Sequence, residues 1–223
     1  MLRTALRWAL RLLIAAALLE AALLVAWRFA PPVSTLMLAR WATLRSVERE
    51  WRPLSQIAPA LAAAVVASED ARFCRHGGVD WTELRAVVEE GLEDGPTRGA
   101  STITMQTVKN VLLWPSRSFL RKGLEIPLAL VADPLWSKRR TMEIYLNVAE
   151  WGEGVFGAEA AARRHFGKSA AQLSVREAAL LAAALPNPIE RVAGRPTARH
   201  RARAAVIERR MRAGGGLDCL RAP

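Results

Sequence analysis

Between Trp8 and Ala30 the sequence reads WALRLLIAAALLEAALLVAWRFA, an apolar run about as long as the roughly 20 residues that a helix needs to cross the hydrocarbon core of a bilayer. Arg11 near its start can snorkel to the interface, and Trp8 and Trp27 stand where an aromatic belt would lie. Glu20 is the costly residue of the span and calls for a proton or a partner helix. The alternative is a cleaved signal peptide, with Arg3 and Arg7 ahead of the apolar stretch from Leu12 to Ala26. No small-x-small cleavage site follows it, because the next residues are Trp27, Arg28, Phe29 and two prolines. The run is therefore read as a retained anchor. Arg3, Arg7 and Arg11 outnumber Arg28 at its ends, which places the N-terminus in the cytoplasm and the remainder outside.

The 223 residues leave room for one domain beside the anchor, and 52% apolar against 24% charged is too apolar for disorder. Thirty-two basic and 21 acidic residues give a net charge of +11, which points to an anionic partner such as phosphate, nucleic acid or a lipid surface without choosing among them. Two cysteines and three histidines are too few for a disulfide scaffold or a closed zinc site; Cys74 and Cys219 are read as either a pair or two free thiols. The expected organisation is a cytoplasmic tail and anchor over 1–30, a juxtamembrane connector over 31–52, a globular domain over 53–190 and a basic tail over 191–223. That tail holds nine arginines against Glu208 and Asp218 and has no aromatic residue, so it is read as a solvated segment touching acidic headgroups rather than as a nucleic-acid reader.

Within the domain the periodicity predicts helices only. Ser55 is the expected cap of a helix running to Ser68 and Glu69, Trp81 to Leu92 forms another, and Ser101 caps a third from Thr102 to Leu113, stopped by Pro115. Asp133-Pro134 is expected to open a helix carrying Met142, Tyr145 and Leu146. Ser174-x-x-Glu177 is a capping box ahead of Ala178 to Leu185, and Pro186 ends that helix. No segment alternates long enough to argue for a sheet, so the domain is expected to be mainly α-helical.

Taken singly, the polar groups are unremarkable: Glu69-Asp70 is an acidic pair at a helix end, Lys109 and Asn110 lie two turns into a helix, and Arg121 and Glu125 make an i,i+4 pair. Their order is not. Glu69 to Gly78 is followed by Gly99-x-Ser101-Thr102-Ile103-Thr104-x-Gln106-x-x-Lys109-Asn110. Then come Arg121-Lys122-x-x-Glu125, Lys138 through Glu143 to Tyr145-Leu146-Asn147, and Gly154-x-x-Gly157 through His165-Phe166-Gly167-Lys168 to Pro186-Asn187-Pro188. Five such stretches in this order, spanning about residues 53 to 190, resemble the family 51 glycosyltransferases, the peptidoglycan glycosyltransferases, in their monofunctional membrane-anchored form. The stretch after residue 190 is too short for a transpeptidase domain. Departures are small: Met105 where Gln is usual, His165 for Tyr, Thr141-Met142 for Ile-Leu, and Ala86 beside Arg85 where a basic residue is common.

The resemblance implies a mainly α, lysozyme-like domain of two lobes behind one transmembrane helix, on the periplasmic side of the bacterial inner membrane. Its implied activity is polymerisation of lipid II into β-1,4 glycan strands, with inversion and release of undecaprenyl pyrophosphate. Glu69 matches the general base, a role that calls for burial or a neighbouring carboxylate, and Glu125 matches the second essential carboxylate. Ser101, Lys109, Asn110, Arg117 and Arg121 match positions that bind substrate, with Lys109 and Arg117 on the pyrophosphate, while Lys138 is structural or at the cleft rim. A divalent cation such as Mg²⁺ is the one cofactor the resemblance allows, with Glu125 its candidate ligand. Implied partners are lipid II, the growing lipid-linked glycan, membrane lipids and cell-wall synthesis proteins, without nucleic acid. Two other readings stand beside this one: a lytic transglycosylase or lysozyme, and a non-catalytic membrane-anchored basic adaptor.

Overall fold

In the computed structural model, which describes residues 2–93, 99–116, 118–214 and 217–221, the apolar run is one helix, α1 (Leu2–Trp27). Within its stretch from Arg3 to Trp27, an 18-residue window has a mean hydropathy of 2.2 and is left almost wholly uncovered by protein. The last turn differs. Leu24 is buried, the Trp136 indole donates to the Leu24 carbonyl at 2.8 Å, and the Arg140 guanidinium donates to the carbonyls of Trp27 and Ala30 at 2.9 and 2.6 Å. A helix C-terminus leaves such carbonyls without partners and favours a cation, so Trp136 and Arg140 fasten the apolar helix α1 to the domain.

The segment 31–52, expected as a connector, is instead folded into the domain. Ser34 caps α2 (Thr35–Ala42), Met37 is fully buried, and Thr35 Oγ1 donates to the carbonyls of Asn110 and Leu113. Beyond α2, β1 (Glu48–Arg49) runs parallel to β3 (Val155–Phe156), which pairs antiparallel with β2 (Glu150–Gly152), in the order β1-β3-β2. This small sheet was not expected, because strands of two or three residues are too short to show alternation. Buried Asn147 ties the segment down: its Oδ1 accepts from the Arg52 N–H and its Nδ2 donates to the carbonyls of Arg52 and Glu143, each at 2.8 Å.

The other helices are α3 (Pro59–Glu69), α4 (Trp81–Glu93), α5 (Ile103–Leu112), α6 (Phe119–Leu135), α7 (Lys138–Val148), α8 (Ala158–Phe166), α9 (Val175–Ala184) and α10 (Ala198–Ala213). The capping box of Ser174 and Glu177 opens α9 as expected. Three starts differ from expectation. Ser55 lies in a 3-10 turn and α3 begins at Pro59, a residue suited to the first helical position. The cap of α5 is Thr102 rather than Ser101. Asp133-Pro134 opens nothing: α6 continues through Pro134 while Trp136 is drawn into the core, and Ser137 caps α7.

Two cores result. One gathers Leu61, Val65, Ala161, Leu181, Ala204 and Ile207 from α3, α8, α9 and α10. The other gathers Leu24, Met37, Val108, Ala129, Trp136 and Ile144 around α5, α6 and α7, and it carries the anchor. α7 serves both, turning Met142 and Tyr145 to the first and Ile144 and Val148 to the second. The architecture is thus the mainly α, two-lobed one expected. The basic segment after residue 190 is not a solvated tail: α10 buries His200, Ala204 and Ile207 against α9 and α3, and turns its arginines outward. Cys74 and Cys219 form a disulfide with Cα atoms 5.5 Å apart.

Replacing Asn147 with Ala leaves the partly buried backbone N–H and carbonyl of Arg52 without their partners, while the Glu143 carbonyl keeps its bond within α7. Asn147→Ala is therefore expected to lower unfolding free energy by about 2–4 kcal/mol, measured by denaturant titration in detergent micelles.

Candidate active site

α3 is apolar on nearly every face because it is buried between α9 and α10, and it stops where Asp70 leaves the helical conformation. Glu69 and Asp70, adjacent at that end, have opposite fates. Asp70 is 8% exposed; its Oδ2 accepts the Ile103 N–H at 2.9 Å, and its carboxylate meets His76 Nε2 at 2.9 and 3.1 Å. Ile103 is the first residue of α5, so Asp70 takes up one of the free N–H groups of that helix and docks the end of α3 on the start of α5. Lys138 supports the same corner. It donates to the His76 carbonyl and to Asp133, each at 2.7 Å, and lies over the Phe73 ring, a structural role.

Glu69 is half-buried. Gln106 Nε2 donates to its Oε2 at 3.1 Å and Ser68 Oγ to its Oε1 at 3.0 Å. The Tyr145 hydroxyl donates to Gln106 Oε1 at 3.2 Å, which fixes the orientation of the amide. Burial pushes the Tyr145 phenol well above its ordinary pKa, and the charges of Glu69 and Asp70 push it further, so it remains a donor. The roles of Gln106 and Tyr145 were not foreseen. Gln106 stands within the recognised pattern without an assigned task, and Tyr145 read as part of an apolar helix face.

Facing this end of α5 is the first half of α6. Glu125, 2% exposed, receives Arg121 on Oε1 and Lys122 on Oε2, the latter at 2.7 Å; Lys122 also donates to Ser101 Oγ. Lys122, which the sequence reading left without a role, therefore joins Ser101 to Glu125. Thr102 meanwhile accepts the Met105 N–H as the cap of α5 and donates to the Gly78 carbonyl. Lys109, one turn beyond Gln106 on α5, makes no ion pair among the described residues. Burial pulls its pKa below the ordinary lysine value; Glu125 and, more weakly, Glu69 draw it back up, while Arg121 and Lys122 oppose them. Lys109 thus stands in the field of both carboxylates with its charge uncommitted. The Asn110 carbonyl accepts from Thr35, and its side chain makes no hydrogen bond among the described residues. Arg117 lies outside the described residues.

The donor set does not suit a divalent cation. Both oxygens of Glu125 are committed to ion pairs, and no group of three His, Cys, Asp or Glu side chains converges among the described residues. Two open depressions of about 530 and 510 Å³ lie elsewhere, one beside Arg49 and Arg163, the other beside His165 and Arg195, and include none of the acid–base groups. The acid–base groups gather between α3, α5 and α6: a carboxylate with its rotamer held, beside a patch of half-buried cations. Such a pairing can take a proton from one group and stabilise negative charge on another.

A family model described as transglycosylase matches residues 36–212. The chain belongs to the transglycosylase family. The family match runs from α2 through nearly all of α10, in keeping with the packing of both segments into the domain. Similar curated family members include the biosynthetic peptidoglycan transglycosylase of Rhizobium meliloti (strain 1021), 61% identical over 193 residues, which are 86% of this chain and 82% of the relative. Another is that of Brucella suis biovar 1 (strain 1330), 51% identical over 216 residues and 96% of each chain.

The neighbouring acids are expected to separate by assay. Asp70→Ala strands the Ile103 N–H and should cost about 1–3 kcal/mol of stability, whereas Glu69→Gln, at a half-buried position, should change stability by less than about 0.5 kcal/mol, both measured by thermal denaturation.

Proposed function

We propose that this transglycosylase-family chain is a peptidoglycan glycosyltransferase that polymerises lipid II, with Glu69 as general base. The observation that carries this reading is the half-buried Glu69 carboxylate, held by Gln106, sharing its field with Lys109, a cation without an ion pair among the described residues. The acceptor sugar hydroxyl attacks the anomeric carbon of the donor as Glu69 takes its proton. The bond from that carbon to the pyrophosphate breaks on the opposite face, and the departing lipid pyrophosphate carries away the electron pair. One displacement inverts the centre, so no covalent nucleophile is needed. Lys109 meets the developing phosphate charge, while Glu125 holds Arg121 and Lys122 beside it.

The apolar span of α1 supports a membrane anchor, which would bring the enzyme to lipid-tailed substrates in two dimensions. The Cys74–Cys219 disulfide supports a domain exposed to an oxidising compartment, hence the periplasmic side of the inner membrane. A lytic enzyme would also use one glutamate but has no use for Lys109, Arg121 and Lys122 around a phosphate. An adaptor acting through a free basic tail is disfavoured by the packing of α10 on α3 and α9.

Glu69→Gln is expected to bind lipid II as the parent does and to polymerise it about 10²- to 10⁴-fold more slowly in a gel assay of glycan strands; near-parental synthesis would remove Glu69 from the role of base. If protonated Lys109 is required, kcat/KM should fall on the alkaline side below the ordinary lysine range, because its pKa is lowered and its charge is lost earlier as pH rises. In Lys109→Arg that limb should move to higher pH; an unmoved limb would assign it to another group.

A further inference from the structure

The disulfide closes a separation of 145 residues, and both of its ends lie close in sequence or space to the proposed base. Cys74 sits in the 3-10 turn Phe73–Arg75, between Asp70 and the His76 that Asp70 binds. Cys219 sits in the 3-10 turn Asp218–Leu220, beyond Gly214, whose positive φ ends α10. The same C-terminal region reaches α3 once more, where Arg210 donates to the Ala67 carbonyl at 3.3 Å. The chain end therefore bears on both sides of Glu69, two residues before it and five after.

Residues 217–221 have little else to hold them. Leu217 and Leu220 are only partly buried, Arg139 donates to the Leu220 carbonyl, and Arg221 pairs with Asp218 in solvent. Segments with so few buried contacts open at low cost unless they are cross-linked. Both cysteines are themselves partly buried at the edge of the core, within reach of a thiol-exchange partner.

We propose that Cys74 and Cys219 are an oxidation site whose disulfide makes the C-terminal segment a strap on the turn behind Glu69, so that full turnover requires the oxidised chain. The co-reactant is a protein disulfide of a dithiol oxidoreductase. One cysteine thiolate attacks that disulfide to form a mixed disulfide, and the second thiolate displaces the partner. Two electrons and two protons pass from the chain to the partner, which leaves as a dithiol. Reduction reverses the exchange, frees residues 217–221 and loosens the Phe73–Arg75 turn, and with it the corner that Asp70 and His76 secure.

The effect on turnover rests on the glycosyltransferase reading; the strap does not. The full chain, isolated from membranes in detergent with maleimide present, should carry no label before reduction and two after reduction and denaturation. Dithiothreitol should expose the C-terminal segment to limited proteolysis, lower the melting temperature by about 5–15 °C and lower kcat for lipid II about three- to tenfold, with KM changed less than about twofold. The C74S/C219S double variant should reproduce these losses and no longer respond to dithiothreitol; should it fail to fold, the reduced parental chain decides. Two free thiols in the isolated protein, or a fully reduced chain with an unchanged melting temperature, protected C-terminus and unchanged kcat, would overturn the proposal. An oxidised chain that never polymerises lipid II would defeat the functional reading alone, with proteolysis and melting still deciding the strap.

Discussion

A single buried carboxylate brings the chemistry together. Asp70 closes α3, takes the first N–H of α5 and binds His76, so two helices distant in sequence meet end to end at one point. Helical geometry does the rest. Gln106 and Lys109, at i and i+3 on α5, project from neighbouring positions on one side of it, and that side receives Glu69. The neighbours at the end of α3 differ because the chain leaves the helix between them: one acid turns inward as a structural cap, and the other is left half-buried.

The second carboxylate shows how a buried charge is tolerated. Glu125 is almost without solvent, and a lone carboxylate there would carry a desolvation penalty of several kcal/mol. Arg121 and Lys122 offset it by occupying both oxygens, and their own freedom is spent in doing so. The cluster holds more positive than negative charge, two cations sharing Glu125 and Lys109 making no ion pair among the described residues. That imbalance is organised before any ligand arrives, which is the condition under which fixed charges lower a barrier most effectively.

Much of this was legible in the sequence, and the parts that were not have physical reasons. The anchor, the capping box at Ser174 and the ordered set of motifs are local patterns that survive in one dimension. α10 hid because its buried stripe is only His200, Ala204 and Ile207 among arginines, and the sheet hid because its strands are two or three residues long. Asp133-Pro134 misled because a proline near the end of a long helix resembles one at the start of the next. The pairing of Cys74 with Cys219, the link from Tyr145 through Gln106 to Glu69, and the attachment of Ser101 to Lys122 all depend on distances that only the folded chain sets.

The joint between α1 and the anchor-bearing lobe bears on how such an enzyme would sit in its surroundings. Because the Trp136 indole and the Arg140 guanidinium grip the final carbonyls of the helix, the domain would not swing freely above a bilayer as it would on a slack leash. Its altitude and tilt would be inherited from the span beneath it. With α1 in a bilayer, the thickness of the surrounding lipid would become a mechanical setting of the protein, adjusting how far Glu69 and Lys109 stand from the headgroups without altering either residue.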